Sequence, residues 1–446
     1  MYMSAEDRGK NSPTIDIAVI GGGASGMAAA IMARRIFMRE NHNEARIMII
    51  EQNDRVGKKL LLTGNGRCNL TNLDDDLNHY HGSNVRYAKE ALHIYPPSEV
   101  IAFFEGLGVI CTVDGSRKVY PMSLHAGSVL DSLRLSLDDL GIKVRTGARV
   151  VNLVKPQNEG VFHLTLDDKD VVCASAVIVA AGGMCAPSTG SDGNGYNLLT
   201  KLSHRLIAPI PSIVQLKTDT KFCKPLSGNK IQGRAALFIG GRKIREESGE
   251  ILFTDYGLSG PPILQLSGYV SRYFADKINR TTGEKIYVSL DFLPDYSLNE
   301  VREMMNMRKR TFSNRKLDEY LTGLFHKRLA LGLLRESTDK PMTALVSVLS
   351  GKDIELLAAS CKGLKISVTG TMPFANAQTT AGGIDISDFD PLTLSSSKCQ
   401  GLYACGEILD IDGDCGGFNL QWAWASGFLA GSSAAQYVIK SENYEA

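Results

Sequence analysis

The start of the chain sets apolar runs against stretches of small residues, and that rhythm gives the first expectation. Ile15–Ile20 (IDIAVI) is β-branched and does not alternate, as a strand buried on both faces reads. Gly21–Gly26 (GGGASG) follows at once, then Ala24–Met38 with small and apolar residues at helical spacing. Ala45–Glu51 (ARIMIIE) is a second run of the buried type, so the three segments predict a βαβ unit. Helices are predicted over 98–107 and 126–140, and strands over 143–145, 149–154, 161–166 and 171–180.

From about Leu206 the texture changes. IVQLKT, AALFIG, RKIREE and EILFTD are short strand signals punctuated by glycine, which predicts a small β-rich domain. Residues 296–336 read as helical and charged, and Ser297-Leu298-Asn299-Glu300 is a capping box ahead of VREMMNMRKR. The basic run RKRTFSNRK fits a solvated helix face better than a nucleic-acid surface, because few aromatics interleave with it. Glycine-rich sequence returns at Thr379 and leads to a long helix over 418–441. The chain is therefore read as a disordered tail (1–14), a nucleotide domain built from both ends (15–205 and 376–446), a β-rich substrate domain (206–275 and 340–375) and a small helical domain (276–339).

Composition narrows the function classes. Over 446 residues, 49 Lys+Arg against 48 Asp+Glu leave a net charge of +1, which lacks the footprint of a nucleic-acid binder. No apolar run approaches the ~20 residues of a membrane span, and the polar first residues lack a signal-peptide core. The nine cysteines show no CxxC and no zinc-type spacing, so reduced thiols, a cytoplasmic location and no metal are expected. The 44 glycines are an excess that sits in tight clusters, where backbone can approach a ligand.

Four of those clusters carry candidate chemistry. In Gly21-x-Gly23-x-x-Gly26 the first glycine permits the turn, the second lets pyrophosphate reach the backbone, and the third lets helix and strand pack. Ala24 and Ser25 open the helix whose N-terminus faces the phosphates. Glu51 ends the second strand 25 residues after Gly26, against ~20 in the usual fingerprint, and a carboxylate there suits ribose hydroxyls. Lys58–Asn72 (KKLLLTGNGRCNLTN) offers backbone N–H groups and donors from Asn65, Arg67 and Asn69; the alternative is an ordinary turn. VIVAAGG ends in Ala181, Gly182 and Gly183. Gly401–Gly417 places Gly406-Glu407 at a strand end and Gly416-Gly417 ahead of the last helix, where Ala423, Ala425, Ser426, Gly427, Ala430 and Gly431 allow close packing.

One N-terminal GxGxxG with an acid-ended strand, joined to a C-terminal strand–Gly–acid unit and a Gly-headed helix, resembles the two-segment FAD-binding fold of glutathione-reductase-type flavoproteins. TGNGRCNLTN, FTDYGLSGPPILQLSG and the segment from TTAGGIDISD through GLYACGEILDIDGDCGGFNLQWAWASG narrow this to a resemblance to the BaiN/YhiN-like flavoproteins, to which bacterial aminoacetone oxidase is similar. The fold class implied is α/β: a glutathione-reductase-type Rossmann-like domain in two segments, with an inserted β-rich domain and a small helical domain. Non-covalent FAD is the implied cofactor, with NAD(P)H as a transient donor, since no second GxGxxG marks a domain of its own for that nucleotide.

The resemblance also implies roles. Gly21, Gly23, Ala24, Ser25 and Gly26 would hold pyrophosphate, and Glu51 with the adjoining Gln52 the adenosine ribose. Lys59, Gly64, Asn65, Gly66, Arg67, Cys68 and Asn69 would wrap the cofactor, and Val150 would meet adenine through its backbone. Gly406 and Glu407 would face the ribityl–pyrophosphate region. Gly417, Phe418, Asn419 and Leu420 would face the pyrimidine edge. Position 255 is Asp where the family often has His, and position 418 is Phe where Tyr is common. His125, Asp255 and Tyr256 are the candidates for proton transfer, and Tyr120 and Arg117 for substrate contact. Cys68, Cys405 and Cys415 read as packed thiols rather than a redox pair.

A helix N-terminus at Gly417–Asn419 would stabilise negative charge on a reduced flavin. The expected activity is hydride transfer between flavin N5 and a small substrate held against the middle domain, most simply reduction of an activated C=C bond using NAD(P)H. The alternatives are amine oxidation by O₂ with release of peroxide, a flavin-dependent RNA-modifying enzyme, and a non-catalytic flavin sensor. No membrane and no nucleic-acid partner are expected, and the sequence leaves the oligomeric state open. The purified protein is expected to be yellow and to release FAD on denaturation; a colourless chain that added FAD does not recolour would overturn the cofactor assignment.

Overall fold

A computed structural model describes residues 14–156, 160–276 and 283–445. The tail expected over 1–14 lies, apart from Thr14, outside the described residues. The chain divides into two compact units, Met1–Ile210 with Gln378–Ala446, and Pro211–Ala377.

The first unit is built on a seven-stranded sheet. Its strands are β1 (Ile15–Ile20), β2 (Ile47–Ile50), β3 (Lys143–Arg145), β4 (Val150–Val154), β5 (Phe162–Leu166), β6 (Val171–Val179) and the strand Leu402–Ala404. The order is β3-β2-β1-β6-β5-β4. β1 pairs in parallel with β2 (Ile17 opposite Ile47) and with β6 (Ile17 opposite Ala176). β6 changes partner along its length. Val171–Ala174 pairs antiparallel with β5, and Val177–Val179 pairs in parallel with Leu402–Ala404. Ile17, Ala18 and Val19 are fully buried, which explains why β1 carries no alternation.

Helix α1 (Ala24–Arg39) and the last helix (Phe418–Glu445) pack against each other at backbone distance. A Cβ on Gly427 would stand 2.5 Å from the Ser25 carbonyl oxygen, and one on Gly431 would stand 2.1 Å from that of Ala29. The small residues of the last helix are thus a requirement of this crossing. The two tryptophans lie in the same core, with the Trp424 indole N–H donating to the Leu70 carbonyl (3.0 Å).

The second unit contains a closed barrel, in the order Leu216–Thr218, Gly257–Ser259, Arg242–Phe253, Lys230–Ile239, Ile286–Asp291, Leu364–Thr371. RKIREE and EILFTD, read as two strands, form the single strand Arg242–Phe253. The expected split between a β-rich and a helical domain does not hold. Ile286, Val288 and Leu290 alternate inward from a barrel strand that the sequence reading had assigned to the helical part. Val301 and Met305, on the helix Leu298–Thr311, join the same buried cluster as Leu237, Val288 and Ile366. The predicted capping box is formed, with the Glu300 N–H donating to Ser297 Oγ (3.3 Å) and the Ser297 N–H donating to Glu300 Oε2 (2.7 Å). Among the described residues no helix is long and apolar enough to cross a membrane.

Replacing Gly431 by Ala should force the two helices of the first unit apart. The expected loss is about 1–3 kcal/mol of unfolding free energy, read from the urea midpoint, whereas Gly115→Ala, with open space at its Cβ position and no left-handed backbone, should cost less.

Candidate cofactor site

The turn after β1 begins the site. Gly21 has φ +104°, and its Cβ would lie 2.5 Å from the Ala180 carbonyl oxygen, so the turn can approach β6 only as glycine. A Cβ on Gly26 would lie 1.9 Å from the Gly21 carbonyl oxygen. At Gly23 there is nothing within 4 Å, so this flank of the α1 N-terminus is open. No side chain caps that terminus and no acid lies in its first turn, which leaves its N–H groups and positive dipole end for an anion.

Glu51 lies buried beside the turn. Its Oε2 accepts from the Gly22 N–H (2.8 Å), and its Oε1 accepts from the Asn53 N–H (2.8 Å) and the Asn53 side-chain amide (2.7 Å). These bonds fix the carboxylate next to the glycine turn. Gln52 is engaged at both ends: its amide donates to the Gly190 carbonyl (2.5 Å) and its Oε1 accepts from Arg149 (2.8 Å). The Val150 carbonyl accepts from the Asn194 amide (2.9 Å).

The third and fourth glycine clusters meet here. A Cβ on Gly183 would lie 2.3 Å from Thr380 Oγ1 and 3.0 Å from Glu407 Oε1. Glu407 is clasped from two sides, by Lys59 Nζ on Oε2 (2.5 Å) and by the Thr380 N–H on Oε1 (2.7 Å). Gly406, at φ +78°, would place a Cβ 2.5 Å from Ser25 Oγ, so the N- and C-terminal segments meet at the GxGxxG turn. The Gly406 N–H donates to Ser426 Oγ (2.9 Å), and its carbonyl accepts from the Trp422 indole N–H (3.1 Å). The last helix thereby ties this strand end to its own first turns.

The TGNGRCN loop is more than an ordinary turn. Gly64, Asn65, Gly66 and Cys68 all have positive φ, of 57°, 56°, 82° and 58°. For Asn65 and Cys68 that conformation carries strain, which persists where surrounding structure enforces it. Leu70 and Thr71 hold the loop to the last helix: Thr71 Oγ1 donates to Gln421 Oε1 (2.6 Å), and the Asn72 amide donates to the Gly416 carbonyl (2.8 Å). Gly417, at φ +106°, would put a Cβ 2.6 Å from the Thr71 carbonyl oxygen and 3.0 Å from Asn69 Oδ1. The first turn of the last helix also carries no acid.

Several expected site residues have other partners. Phe418 stacks on His79 with ring centroids 4.2 Å apart. The Asn419 side chain closes the preceding loop, accepting from the Gly413 N–H (2.8 Å) and donating to the Gly413 carbonyl (2.7 Å). Arg67 is exposed and lies 5.1 Å from the Tyr120 ring centroid, while burial raises the Tyr120 hydroxyl above its ordinary range. Arg117 is exposed, 3.7 Å from Asp74, and His125 is exposed ahead of the helix Ala126–Asp139. Asp255 and Tyr256 belong to the second unit, in the turn between two barrel strands.

Sequence reasoning overlooked two features. Thr380, fully buried, presents its Oγ1 to the N–H groups of Met184 (2.8 Å) and Cys185 (3.2 Å). Buried Asp414 lies between two imidazoles, 3.1 Å from His79 Nδ1 and 2.8 Å from His81 Nε2, at the foot of the last helix. The spacing His79-x-His81 was visible, but its carboxylate lies more than three hundred residues away in sequence.

An elongated dinucleotide fits these groups. The flank of Gly23 and the position of Gly66 are open, two helix N-termini have no acid in their first turns, and two buried acceptors, Ser191 Oγ and Asn69 Oδ1, have no partner among the described residues. The unit is an FAD-binding Rossmann-type domain in two segments, and a protein so built is an FAD-dependent oxidoreductase.

The chain belongs to the family described as the HI0933-like protein Rossmann domain, whose model matches residues 15–433. It is 38% identical over 420 residues to the 3-dehydro-bile acid delta(4,6)-reductase of Clostridium scindens, spanning 94% of this chain and 99% of that protein. It is 26% identical over 423 residues to the ribosomal RNA dihydrouridine synthase of Haemophilus influenzae, spanning 94% and 98% of the two chains. To the Escherichia coli protein of the same name it is 28% identical over 416 residues, spanning 92% and 96%.

Burial pushes the Cys68 and Cys405 thiols up to about 12. Roughly one such thiol in ten thousand is ionised near pH 8. Both should therefore resist iodoacetamide in the native protein and react once it is unfolded, as peptide mass spectrometry would read. Rapid native labelling of either would contradict their burial.

Proposed function

We propose that the chain reduces a carbon–carbon double bond conjugated to a carbonyl, in a small organic substrate such as an enone or a bile-acid-type intermediate, with NAD(P)H as electron donor. The observation that carries this reading is the 38% identity, across 94% of the chain, to a delta(4,6)-reductase. Bound FAD supplies hydride transfer at its ring. The residues of the chain hold it: Gly21–Gly26 and the α1 N-terminus take the pyrophosphate, and Glu51 takes the ribose. The 64–69 loop and the start of the last helix enclose the ring, where the positive end of the helix favours negative charge. Lys59 and Thr380 hold Glu407 in one orientation, so that this acid is a fixed part of the wall.

Net reduction adds a hydride to the β-carbon and a proton to the α-carbon. His125, Tyr256 and Asp255 are the candidate sources of that proton. NAD(P)H docks transiently over the flavin, in keeping with the single GxGxxG of the sequence.

A second reading has its own support in the two relatives named ribosomal RNA dihydrouridine synthases. The C5=C6 bond of uracil is also conjugated to a carbonyl, so the same chemistry would act on a base. In the second unit Arg310, Arg315 and Lys316 are exposed, which suits phosphate contact although the whole chain is nearly neutral.

Anaerobic mixing separates these readings. NADH or NADPH should bleach the yellow band, and a steroid dienone should restore it with loss of the conjugated chromophore. Restoration by uracil-bearing ribosomal RNA alone, with dihydrouridine formed, would move the assignment to RNA. Bleaching by an amine, with peroxide released in air, would overturn both.

A further inference from the structure

We infer that the side-chain carbonyl of Asn69 is the acceptor for the imide N3–H of the flavin ring. The inference rests on the FAD reading above and adds an atom-to-atom assignment to it. Asn69 is only 8% exposed, and its Oδ1 is buried with no hydrogen-bond partner among the described residues. A buried acceptor of this kind in a native fold calls for a partner.

The backbone around Asn69 is anchored, so its side chain is presented from a fixed point. The Cys68 N–H donates to the Thr63 carbonyl (3.0 Å) and the Leu70 N–H donates to the Val119 carbonyl (2.8 Å). The Leu70 carbonyl accepts from the Trp424 indole (3.0 Å). The orphaned oxygen stands 3.0 Å from where a Gly417 Cβ would be, at the start of the last helix.

Chemical complementarity supplies the rest. Along its pyrimidine edge the oxidised ring presents acceptors at N1, C2=O and C4=O, with a single donor, N3–H, between the two carbonyls. A helix N-terminus offers only donors, so it can satisfy N1 and C2=O but not N3–H. The neighbouring side-chain acceptors are already taken. Asn419 Oδ1 accepts from Gly413, Gln421 Oε1 accepts from Thr71, and Asn72 Oδ1 accepts from the Asp74 N–H (3.0 Å). Of these side-chain carbonyl oxygens Asn69 Oδ1 is the one that no donor meets, and it lies beside the start of the last helix, whose donors suit the adjoining C2=O.

The test compares FAD with N3-methyl-FAD, which lacks the donor, by fluorescence titration of the apoprotein. The wild type should bind FAD about tenfold more tightly than the methylated analogue, the scale of one hydrogen bond to a buried group. Asn69→Ala should bind the two within about threefold, and Asn69→Asp, which keeps an acceptor, should restore the preference. Equal binding of both flavins by the wild type overturns the assignment, whatever the variants do. An Asn69→Ala protein that keeps the full preference overturns it as well. A wild-type chain that binds neither flavin overturns the cofactor reading itself, and this assignment with it.

Discussion

Two helices from opposite ends of the sequence cross at backbone distance, and the site exists because they do. Gly427 and Gly431 meet the carbonyls of Ser25 and Ala29 with no room for a Cβ. Gly406 comes as close to the Ser25 side chain at the GxGxxG turn. A methyl group at any of these points would separate the GxGxxG turn from the strand end that carries Glu407. At Gly427 and Gly431 the packing admits little adjustment, because the atoms opposed are main chain.

Around that crossing the electrostatics follow one rule. Both helix N-termini at the site lack acids in their first turns, so their positive ends are not neutralised by the chain. The two acids that do face the site are restrained. Glu51 is held by backbone and amide donors, and Glu407 is held by Lys59 and Thr380. The carboxylates therefore sit at defined positions beside open helix ends, an arrangement that suits a ligand with phosphates at its middle and hydroxyls along its length. The His79–Asp414–His81 group secures the foot of the last helix, with Phe418 stacked on one imidazole, so the first turn of that helix is braced.

The relatives align with this chain over nearly their full lengths, yet their names point to a bile acid in one case and a ribosomal RNA in the others. The chemistry can stay constant while recognition changes, because hydride transfer belongs to the cofactor and selection belongs to the surfaces around it.

Much of the cofactor-binding end was legible in the residues. An unbroken apolar run marked β1, buried on both faces, and small and apolar residues at helical spacing marked α1. The glycines of 21–26, 406 and 417 announced close backbone approach, since a positive φ or a missing Cβ is a local property that the sequence writes directly. Tertiary structure decided what depends on distant partners. It closed the barrel, in which Ile286–Asp291, placed in a helical domain from sequence, pairs with Arg234–Ile239 on one side and Leu364–Ser367 on the other. It gave Phe418 and Asn419 to His79 and Gly413, and it left Asn69 Oδ1 without a partner. Local pattern reports the conformation of a segment; which polar atoms find partners is settled only when segments hundreds of residues apart are brought together.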